Sequence, residues 1–347
     1  MSKDKNTENP DQPILTITGT VLRAGGGAYE VDPHDRAELA HLAEAEPVDS
    51  PTLLCSVRGL LKHGRRQAAQ PVSVGDNVRV RVLASSGADA RGRRLREGQI
   101  EEVLPRRSAL ARSRYNKTNQ VSVANLDQVV IVLALREPDL NLHRLDRFLV
   151  LAEAADLRAV ICLNKADLVK PRQRKSETKP IIDLYNSLGY KTLLTSAETD
   201  LGIDELRAEL RGHISAVLGS SGVGKSSLIN AVQPGLHLWI GDVMEIGKGR
   251  HTTTEVSLHP LNGGGYIADT PGIKTVSLMA REEIDVAQCF PELAAFQNAC
   301  RFSNCTHDHE PGCAVREAAS REEIAPSRYD SYLKILRDPT PVMATRQ

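Results

Sequence analysis

The 347-residue sequence is poor in aromatic residues and has no long apolar run. Phe, Trp and Tyr together make up 3% of the chain, so stacking of single-stranded bases on aromatic side chains is poorly supported as a mode of binding. No stretch is apolar and long enough to span a bilayer, and the polar residues 1–13 lack the apolar core of a secretion signal. We therefore predict a cytoplasmic protein with no membrane contact and a disordered tail at residues 1–13.

The chain also lacks a net charge and a set of cysteines spaced for disulfides. Lys and Arg number 44, as do Asp and Glu, so the overall charge indicates no class of partner. Three of the six cysteines, Cys55, Cys162 and Cys289, stand singly, whereas the other three cluster within residues 300–313. In a cytoplasmic chain such a cluster favours a metal site over disulfides.

Changes of pattern along the chain predict a multidomain α/β protein. Residues 14–105 contain five short apolar alternations broken by turn residues, which predicts a small β-barrel of the OB type. Residues 125–280 alternate apolar strands with amphipathic helices, which is typical of a doubly wound, mostly parallel sheet. Residues 106–124 are predicted to form a basic linker, and residues 281–347 a helical, metal-binding domain.

A glycine-rich stretch between a predicted strand and a predicted helix carries the clearest motif. The sequence GSSGVGKS lies directly after ISAVL and opens the helix KSSLINAV, which is the spacing and the context of a phosphate-binding loop. Lys225 is expected to bridge β- and γ-phosphate oxygens, and Ser226 to bind magnesium. The nucleotide-binding residues predicted here are Gly219, Ser220, Ser221, Gly222, Val223, Gly224, Lys225, Ser226 and Ser227.

Two stretches after the phosphate loop are expected to sense the γ-phosphate. The sequence DTPG follows an apolar strand, so we expect Asp269 beside the magnesium and the Gly272 N–H at the γ-phosphate; by itself, DTPG also fits a plain turn. The loop before that strand is rich in Gly and hydroxyl residues, and one of its threonines is expected to complete the magnesium shell. We favour Thr253, with Thr252 and Thr254 as alternatives.

The sequence NKAD follows a predicted buried strand and indicates selection of guanine. The Asp167 carboxylate can accept hydrogen bonds from the guanine N1–H and 2-amino groups, a donor pair that adenine lacks, which disfavours an ATP-dependent enzyme. Lys165 can lie over the base, and Asn164 can tie this loop to the phosphate loop. Ser196 and Ala197, after the next strand, supply a loop whose backbone N–H can contact the guanine carbonyl oxygen.

Three cysteines and a histidine lie close together in the predicted tail. Cys300, Cys305, His307 and Cys313 supply three thiolates and an imidazole, which are enough for a closed tetrahedral zinc site with a structural role. His309 is a competing fourth ligand that the spacing leaves open. Zinc is expected to stabilise a tail that is too short and polar to hold a large core.

Eight basic residues make the predicted barrel a candidate RNA-binding module. Phosphate contacts from such side chains make binding dependent on salt, and the low aromatic content favours folded RNA that is recognised through phosphates and shape. A solvated arginine surface is the alternative interpretation. The candidate RNA-binding residues are Arg58, Lys62, Arg65, Arg66, Arg91, Arg93, Arg94 and Arg96.

The order of the motifs points to a known family. NKAD, SA, GSSGVGKS, GRHTTT and DTPG are the motifs of translation-factor-type GTPases, here with the base motifs ahead of the phosphate motifs. From Ile14 to Arg337 the chain therefore resembles the circularly permuted, ribosome small subunit-dependent GTPase A (RsgA or YjeQ) family. The resemblance implies GTP hydrolysis stimulated by the small ribosomal subunit, rRNA contact, and a role in late maturation of that subunit. It also favours His307 over His309 as the zinc ligand.

The group that positions the attacking water is the weak point of this interpretation. Many GTPases place Gln after the switch glycine, but Ile273 stands there, so we predict slow intrinsic turnover. The resemblance, through the loop GRHTTT, favours His251 as the catalytic residue, although the residues alone describe a solvated loop histidine equally well. Ile273 also keeps open a second function, an RNA-binding placeholder whose affinity is set by GTP or GDP. We expect a monomer.

Overall fold

The structure is a computed structural model of the chain, in two compact units formed by residues 1–106 and residues 107–347. No helix among the described residues is long and apolar enough to cross a membrane. The structure describes residues 15–40, 48–57, 72–89, 91–112, 120–236, 256–269 and 284–337.

The first unit contains a closed five-stranded barrel, which confirms the predicted OB-like fold. β1 pairs antiparallel with β2 and with β4, β2 pairs antiparallel with β3, and β4 with β5. β3 pairs in parallel with β5, and this last pairing closes the sheet on itself. The elements are β1 (Thr16–Gly25), β2 (Ala28–Pro33), α1 (Arg36–Ala40), β3 (Leu53–Val57), β4 (Asn77–Ala88) and β5 (Arg94–Val103).

The alternating pattern of β4 shows why these residues form a barrel strand. Val78, Val80 and Val82 are buried in the barrel core, whereas Arg79 is exposed between them, as expected for a strand with one face on the core. The next strand, β5, begins at Arg94. Two of the candidate RNA-binding arginines, Arg94 and Arg96, therefore belong to this strand.

The second unit is built on a six-stranded, mostly parallel sheet in the order β10–β9–β8–β11–β13–β12. The first five strands are parallel to their neighbours, and β12 is antiparallel to β13. This confirms the predicted doubly wound sheet, although the sequence pattern did not indicate β12. The strands are β8 (Gln128–Ala134), β9 (Arg158–Asn164), β10 (Lys191–Leu194), β11 (Ile214–Leu218), β12 (Ser257–Pro260) and β13 (Tyr266–Asp269).

The segment that we predicted to be a linker contains regular structure. β6 (Ala109–Arg112) pairs antiparallel with β7 (Gln120–Ala124) in a separate two-stranded sheet. The basic composition of this segment concealed the pairing, because the preference of a short segment for a strand depends on its cross-strand neighbours more than on its own residues.

Helices follow the strands and complete the layers of the sheet domain. Helix α3 (Pro171–Ser187) begins at Pro171, because the fixed φ of proline suits the first turn of a helix. The helices of the second unit are α2 (Leu142–Ala154), α3 (Pro171–Ser187), α4 (Ile203–Leu210), α5 (Lys225–Val232), α6 (Pro291–Gln297), α7 (Ala314–Ser320) and α8 (Pro326–Arg337), with a 3₁₀ turn at Ala166–Leu168.

The tail helices pack against α2 around a buried ion cluster. Arg328 of α8 is 1% exposed; it donates to Asp146 of α2 at 2.5 Å and to Glu292 of α6 at 2.6 Å. Tyr185 of α3 donates to the same Asp146 carboxylate at 2.7 Å, and the Arg328 guanidinium lies 4.4 Å from the centre of the Phe290 ring. Buried charges cost desolvation energy unless they are paired, so this cluster requires the tail to dock in one arrangement.

Candidate nucleotide-binding and zinc sites

The predicted nucleotide-binding residues that the structure describes come together where the parallel strands end. β9 ends at Asn164, and the phosphate loop starts at Gly219, directly after β11. Ser196 follows β10, and β13 ends at Asp269. Ligands of doubly wound sheets bind at this carboxyl edge.

Two glycines of the phosphate loop allow a backbone path that a side chain would block. Gly219 has φ 149°, and a Cβ there would lie 2.4 Å from the Val132 carbonyl oxygen. Gly224 has φ 89°, and a Cβ there would lie 2.5 Å from Asn164 Nδ2. The loop therefore packs directly onto β8 and onto the base motif, which leaves its N–H groups for phosphate oxygens.

Two basic side chains hold the phosphate loop. Lys225 begins α5, is 8% exposed, and donates from Nζ to the Ser220 carbonyl oxygen at 2.8 Å. Arg144, near the start of α2, donates from Nη1 to Ser220 Oγ at 2.8 Å. Our sequence reasoning missed Arg144, because no motif marks a residue so far from the loop along the chain.

The base motif is joined by hydrogen bonds to both neighbouring loops. Asn164, which is buried, donates from Nδ2 to the Val223 carbonyl oxygen at 2.9 Å and accepts from Thr195 Oγ1 at 3.3 Å. The Asp167 carboxylate accepts a hydrogen bond from Ser196 Oγ at 2.5 Å, which orients it. Thr195 was not among the predicted site residues, although it lies beside Ser196 in the sequence.

A cleft of about 880 Å³ runs between the base motif and the phosphate loop. Its size suits a small-molecule ligand. Four residues that no motif marked, Glu198, Asp200, Arg207 and Asn230, also line it. The predicted residues that line the cleft are Asn164, Lys165, Asp167, Ala197, Gly224 and Ser227.

Of the residues predicted to sense the γ-phosphate, the structure describes Asp269, at the end of β13. Asp269 is 7% exposed and lies on the strand next to β11, from which the phosphate loop starts. His259 of β12 approaches it, with Nε2 3.8 Å from Asp269 Oδ2. The other predicted switch residues lie outside the described residues: His251, Thr252, Thr253, Thr254, Gly272 and Ile273.

The four predicted zinc ligands form one compact cluster. Their ligand atoms all lie within 4.8 Å of one another: Cys300 Sγ is 3.9 Å from Cys313 Sγ, and His307 Nδ1 is 3.5 Å from both sulfurs. A tetrahedral zinc with bonds of about 2.3 Å to sulfur and 2.0 Å to nitrogen places sulfurs about 3.8 Å apart and sulfur about 3.5 Å from nitrogen. The geometry therefore fits one zinc ion, with His307 rather than His309 as its imidazole.

The surroundings of the cluster favour its role as a metal site. Burial lowers the pKa of His307, which keeps the imidazole in the neutral form that binds metal. Tyr329 donates to the His307 carbonyl oxygen and Tyr332 to the Thr306 carbonyl oxygen, both at 2.6 Å. Helix α8, which carries both tyrosines, thus fixes the loop that holds the ligands.

The single cysteines belong to hydrophobic cores. Cys55 and Cys162 are buried in the two units, and burial raises the pKa of each thiol to about 12. Cys289 is buried among the apolar residues of the tail. These thiols therefore pack as small groups within hydrophobic cores, and the raised pKa of Cys55 and Cys162 keeps those two in the weakly reactive protonated form.

The described arginines of the barrel differ in their availability for RNA. Arg93 pairs with Glu30 at 3.0 Å and with Asp89 at 2.8 Å, and Arg96 is only 6% exposed. Arg91 and Arg94 are exposed, and Arg94 Nε donates to Ser86 Oγ at 2.8 Å. The other four predicted RNA-binding residues lie outside the described residues: Arg58, Lys62, Arg65 and Arg66.

Comparison with known proteins agrees with this geometry. The family model described as RsgA GTPase matches residues 103–279. The small ribosomal subunit biogenesis GTPase RsgA of Gemmatimonas aurantiaca is 42% identical over 93% of this chain and 97% of its own, and that of Moorella thermoacetica is 40% identical over the same shares.

Solved structures show the same similarity in three dimensions. The crystal structure of YjeQ from Thermotoga maritima matches with a TM-score of 0.67 and 33% identity, over 96% of this chain and all of the other. YloQ, described as a circularly permuted GTPase, matches with a TM-score of 0.66 and 28% identity over 93% of this chain and 94% of its own. Together with the cleft and the Cys₃His cluster, these findings show that the chain belongs to the RsgA GTPase family and is a GTP-hydrolysing enzyme.

Proposed function

We propose that this GTPase acts in late maturation of the small ribosomal subunit: it docks on rRNA and leaves after hydrolysing GTP. The relatives named above are small ribosomal subunit biogenesis GTPases. The observation that carries the proposal is the hydrogen bond from Asn164 Nδ2 to the Val223 carbonyl oxygen, 2.9 Å long, which joins the base motif to the phosphate loop across one cleft.

Guanine selection is assigned to the base side of the cleft. Asp167, oriented by Ser196, accepts hydrogen bonds from the guanine N1–H and 2-amino groups. Lys165 covers the base or ribose, and the Ala197 N–H approaches the guanine carbonyl oxygen. Adenine lacks this donor pair, so it is disfavoured at this position.

Phosphate binding is assigned to the loop from Gly219 to Ser227. Its backbone N–H groups and the Lys225 ammonium hold the β- and γ-phosphates, and the Ser226 hydroxyl, Thr253 and Asp269 would hold the magnesium ion. Bound magnesium would neutralise charge on the phosphate oxygens. The Gly272 N–H contacts the γ-phosphate.

His251 is proposed to orient the attacking water, since Ile273 has no polar atom that can do so. A His251→Ala variant is expected to lose most of its subunit-stimulated turnover while it keeps GTP affinity. If small subunits stimulate turnover of that variant normally, His251 does not orient the water.

The remaining parts of the chain are proposed to position the GTPase on its target. Exposed barrel arginines, Arg91 and Arg94 among the described ones, contact rRNA phosphates, and the zinc cluster stabilises the tail. We propose a monomer that works in the cytoplasm, without contact with membranes.

The test compares GTP hydrolysis by the zinc-loaded protein with and without purified small ribosomal subunits. We expect slow turnover alone and strong stimulation by small subunits, with large subunits as the control. Equal rates in all three conditions would contradict the proposal.

A second function, the RNA-binding placeholder, is favoured by Ile273. It differs in one outcome: cells that carry a variant able to bind GTP but not to hydrolyse it would still mature their small subunits. Accumulation of immature subunits in such cells supports the enzymatic switch.

A further inference from the structure

The first half of helix α3 carries an excess of exposed positive charge. Its exposed face includes Arg172 and Lys175, and Lys170 is exposed just before the helix. From Lys170 to Lys179 the only acidic residue is Glu177. The basic residues of this stretch are Lys170, Arg172, Arg174, Lys175 and Lys179.

The carboxylates near this face are used by other cations. Glu177 pairs with Arg136 at 2.6 Å, and Asp183 pairs with Lys179. In the part of the chain that the structure describes, Lys170, Arg172 and Lys175 form no ion pair with an acidic residue, and Arg172 and Lys175 lie about one helical turn apart on the same face.

These cations do not stabilise the helix that carries them. Basic side chains at the start of a helix lie at the positive end of its dipole, where acidic ones are favourable, and the first turn of α3 contains no acidic residue. Arg172 and Lys175 also repel each other at this spacing. A face that is unfavourable for folding and open to solvent is available to a ligand of opposite charge.

Three arginines of the first unit, residues 1–106, provide a contrast. Arg93 pairs with Glu30 and Asp89, Arg79 pairs with Glu102, and Arg106 pairs with Asp76 at 2.6 Å. Their charge is largely compensated by neighbouring carboxylates, whereas that of the α3 face is not. A polyanion therefore gains more from α3 than from those arginines.

We propose that Lys170, just before α3, and Arg172 and Lys175 within it form a contact for RNA phosphates, so that the GTPase domain itself binds the RNA of the small subunit. This inference rests on the proposed function, which supplies the RNA. The face has no aromatic side chain, so the contact is made to phosphates rather than to bases. It is separate from the nucleotide cleft, none of whose lining residues belongs to α3.

The test uses the full-length, zinc-loaded protein and its Arg172→Gln/Lys175→Gln variant. Affinity for purified small subunits is measured over a range of KCl concentrations with a GTP analogue bound. Each phosphate contact that is lost lowers the slope of log affinity against log salt by about 1. We expect weaker binding and a slope reduced by about two.

The matched control is Lys191→Gln/Arg211→Gln, which removes the same charge from exposed residues of the same domain outside α3. We expect its salt slope to equal that of the unmodified protein, and both variants to keep the unmodified melting temperature and GTPase rate without subunits. A control that loses as much slope as the α3 variant would overturn the inference, because the effect would then be one of net charge.

The remaining outcomes separate the possible failures. If the unmodified protein binds small subunits and the α3 variant shows the same salt slope, this inference is overturned and the proposed function is not. Weaker binding with an unchanged slope indicates a protein partner and overturns the assignment to RNA. If the unmodified protein does not bind small subunits, the proposed function fails and this inference fails with it.

Discussion

The nucleotide cleft and the zinc tail are held together by different interactions. In the cleft, hydrogen bonds and close backbone packing join three loops, as between Asn164 and Val223 and at Gly224. In the tail, the Cys₃His cluster and the ion pairs of the buried Arg328 with two carboxylates join the elements. The two regions therefore differ in what forms them: loops at the carboxyl ends of the strands form the cleft, whereas the tail depends on buried charges that must be compensated.

Loss of zinc is expected to have the largest effect. Cys305→Ser leaves three ligands, and structural zinc in small domains contributes about 10 kcal/mol or more to folding. We expect metal analysis of the pure variant to fall from one zinc per chain to nearly none, and the tail to lose its protection from proteases. GTP affinity should change little, because the cleft shares no residue with the cluster.

The control for this change is Cys289→Ala, which alters a buried cysteine of the same tail outside the cluster. It should keep its zinc. If Cys305→Ser loses GTP affinity as well as tail structure, the two regions are not independent, because the cleft then depends on the folded tail.

Removal of the buried arginine should have the next largest effect. Arg328→Met leaves Asp146 and Glu292 buried without their cation, which costs about 3–5 kcal/mol of unfolding free energy. Urea denaturation of the zinc-loaded protein measures the loss. The double variant Asp146→Asn/Arg328→Met should recover part of it, because the amide carries no charge.

The same pair gives a pH dependence with a defined sign. Burial raises the pKa of Asp146 above its usual value, although Arg328 opposes the shift. Because the folded state then holds the Asp146 proton more tightly than the unfolded state does, protonation of this carboxyl stabilises the fold at acid pH. That contribution is lost as pH rises through the raised pKa. The deficit of Arg328→Met should therefore shrink as pH falls; a deficit that does not change with pH would show that the carboxylate is not the cause.

Loss of the Asp167 carboxylate, which we propose selects guanine, should have the smallest of these effects on stability and a selective one on binding. Asp167→Ala removes the acceptor for two guanine donors, so GTP affinity should fall by about 1–3 kcal/mol, or roughly 5- to 150-fold, while ATP affinity stays weak and unchanged. Titration with each nucleotide measures this. The exposed Asp183→Ala, outside the cleft, is the matched control, and an equal loss of GTP and ATP binding in Asp167→Ala would contradict the assignment.

The fold could be predicted where the pattern is local. The apolar alternation of β4 and the strand–loop–helix context of the phosphate loop both appear in the structure. The predicted linker instead contains β6 and β7, and β12 was missed, because short strands take their stability from partners rather than from their own sequence. The burial of Arg96 was missed for a related reason, since a long charged side chain gives no local sign of the pocket that encloses it.

By itself, the sequence determined the chemistry of this protein: a phosphate loop, a guanine motif placed ahead of it, and a Cys₃His cluster. These depend on residues close together in the chain, so spacing alone is informative. Only the tertiary structure decided that Arg144 bonds to Ser220, and that Arg328 bonds to Asp146 across 182 positions. Such contacts depend on which surfaces the packed helices bring together, and no local pattern of residues records that choice.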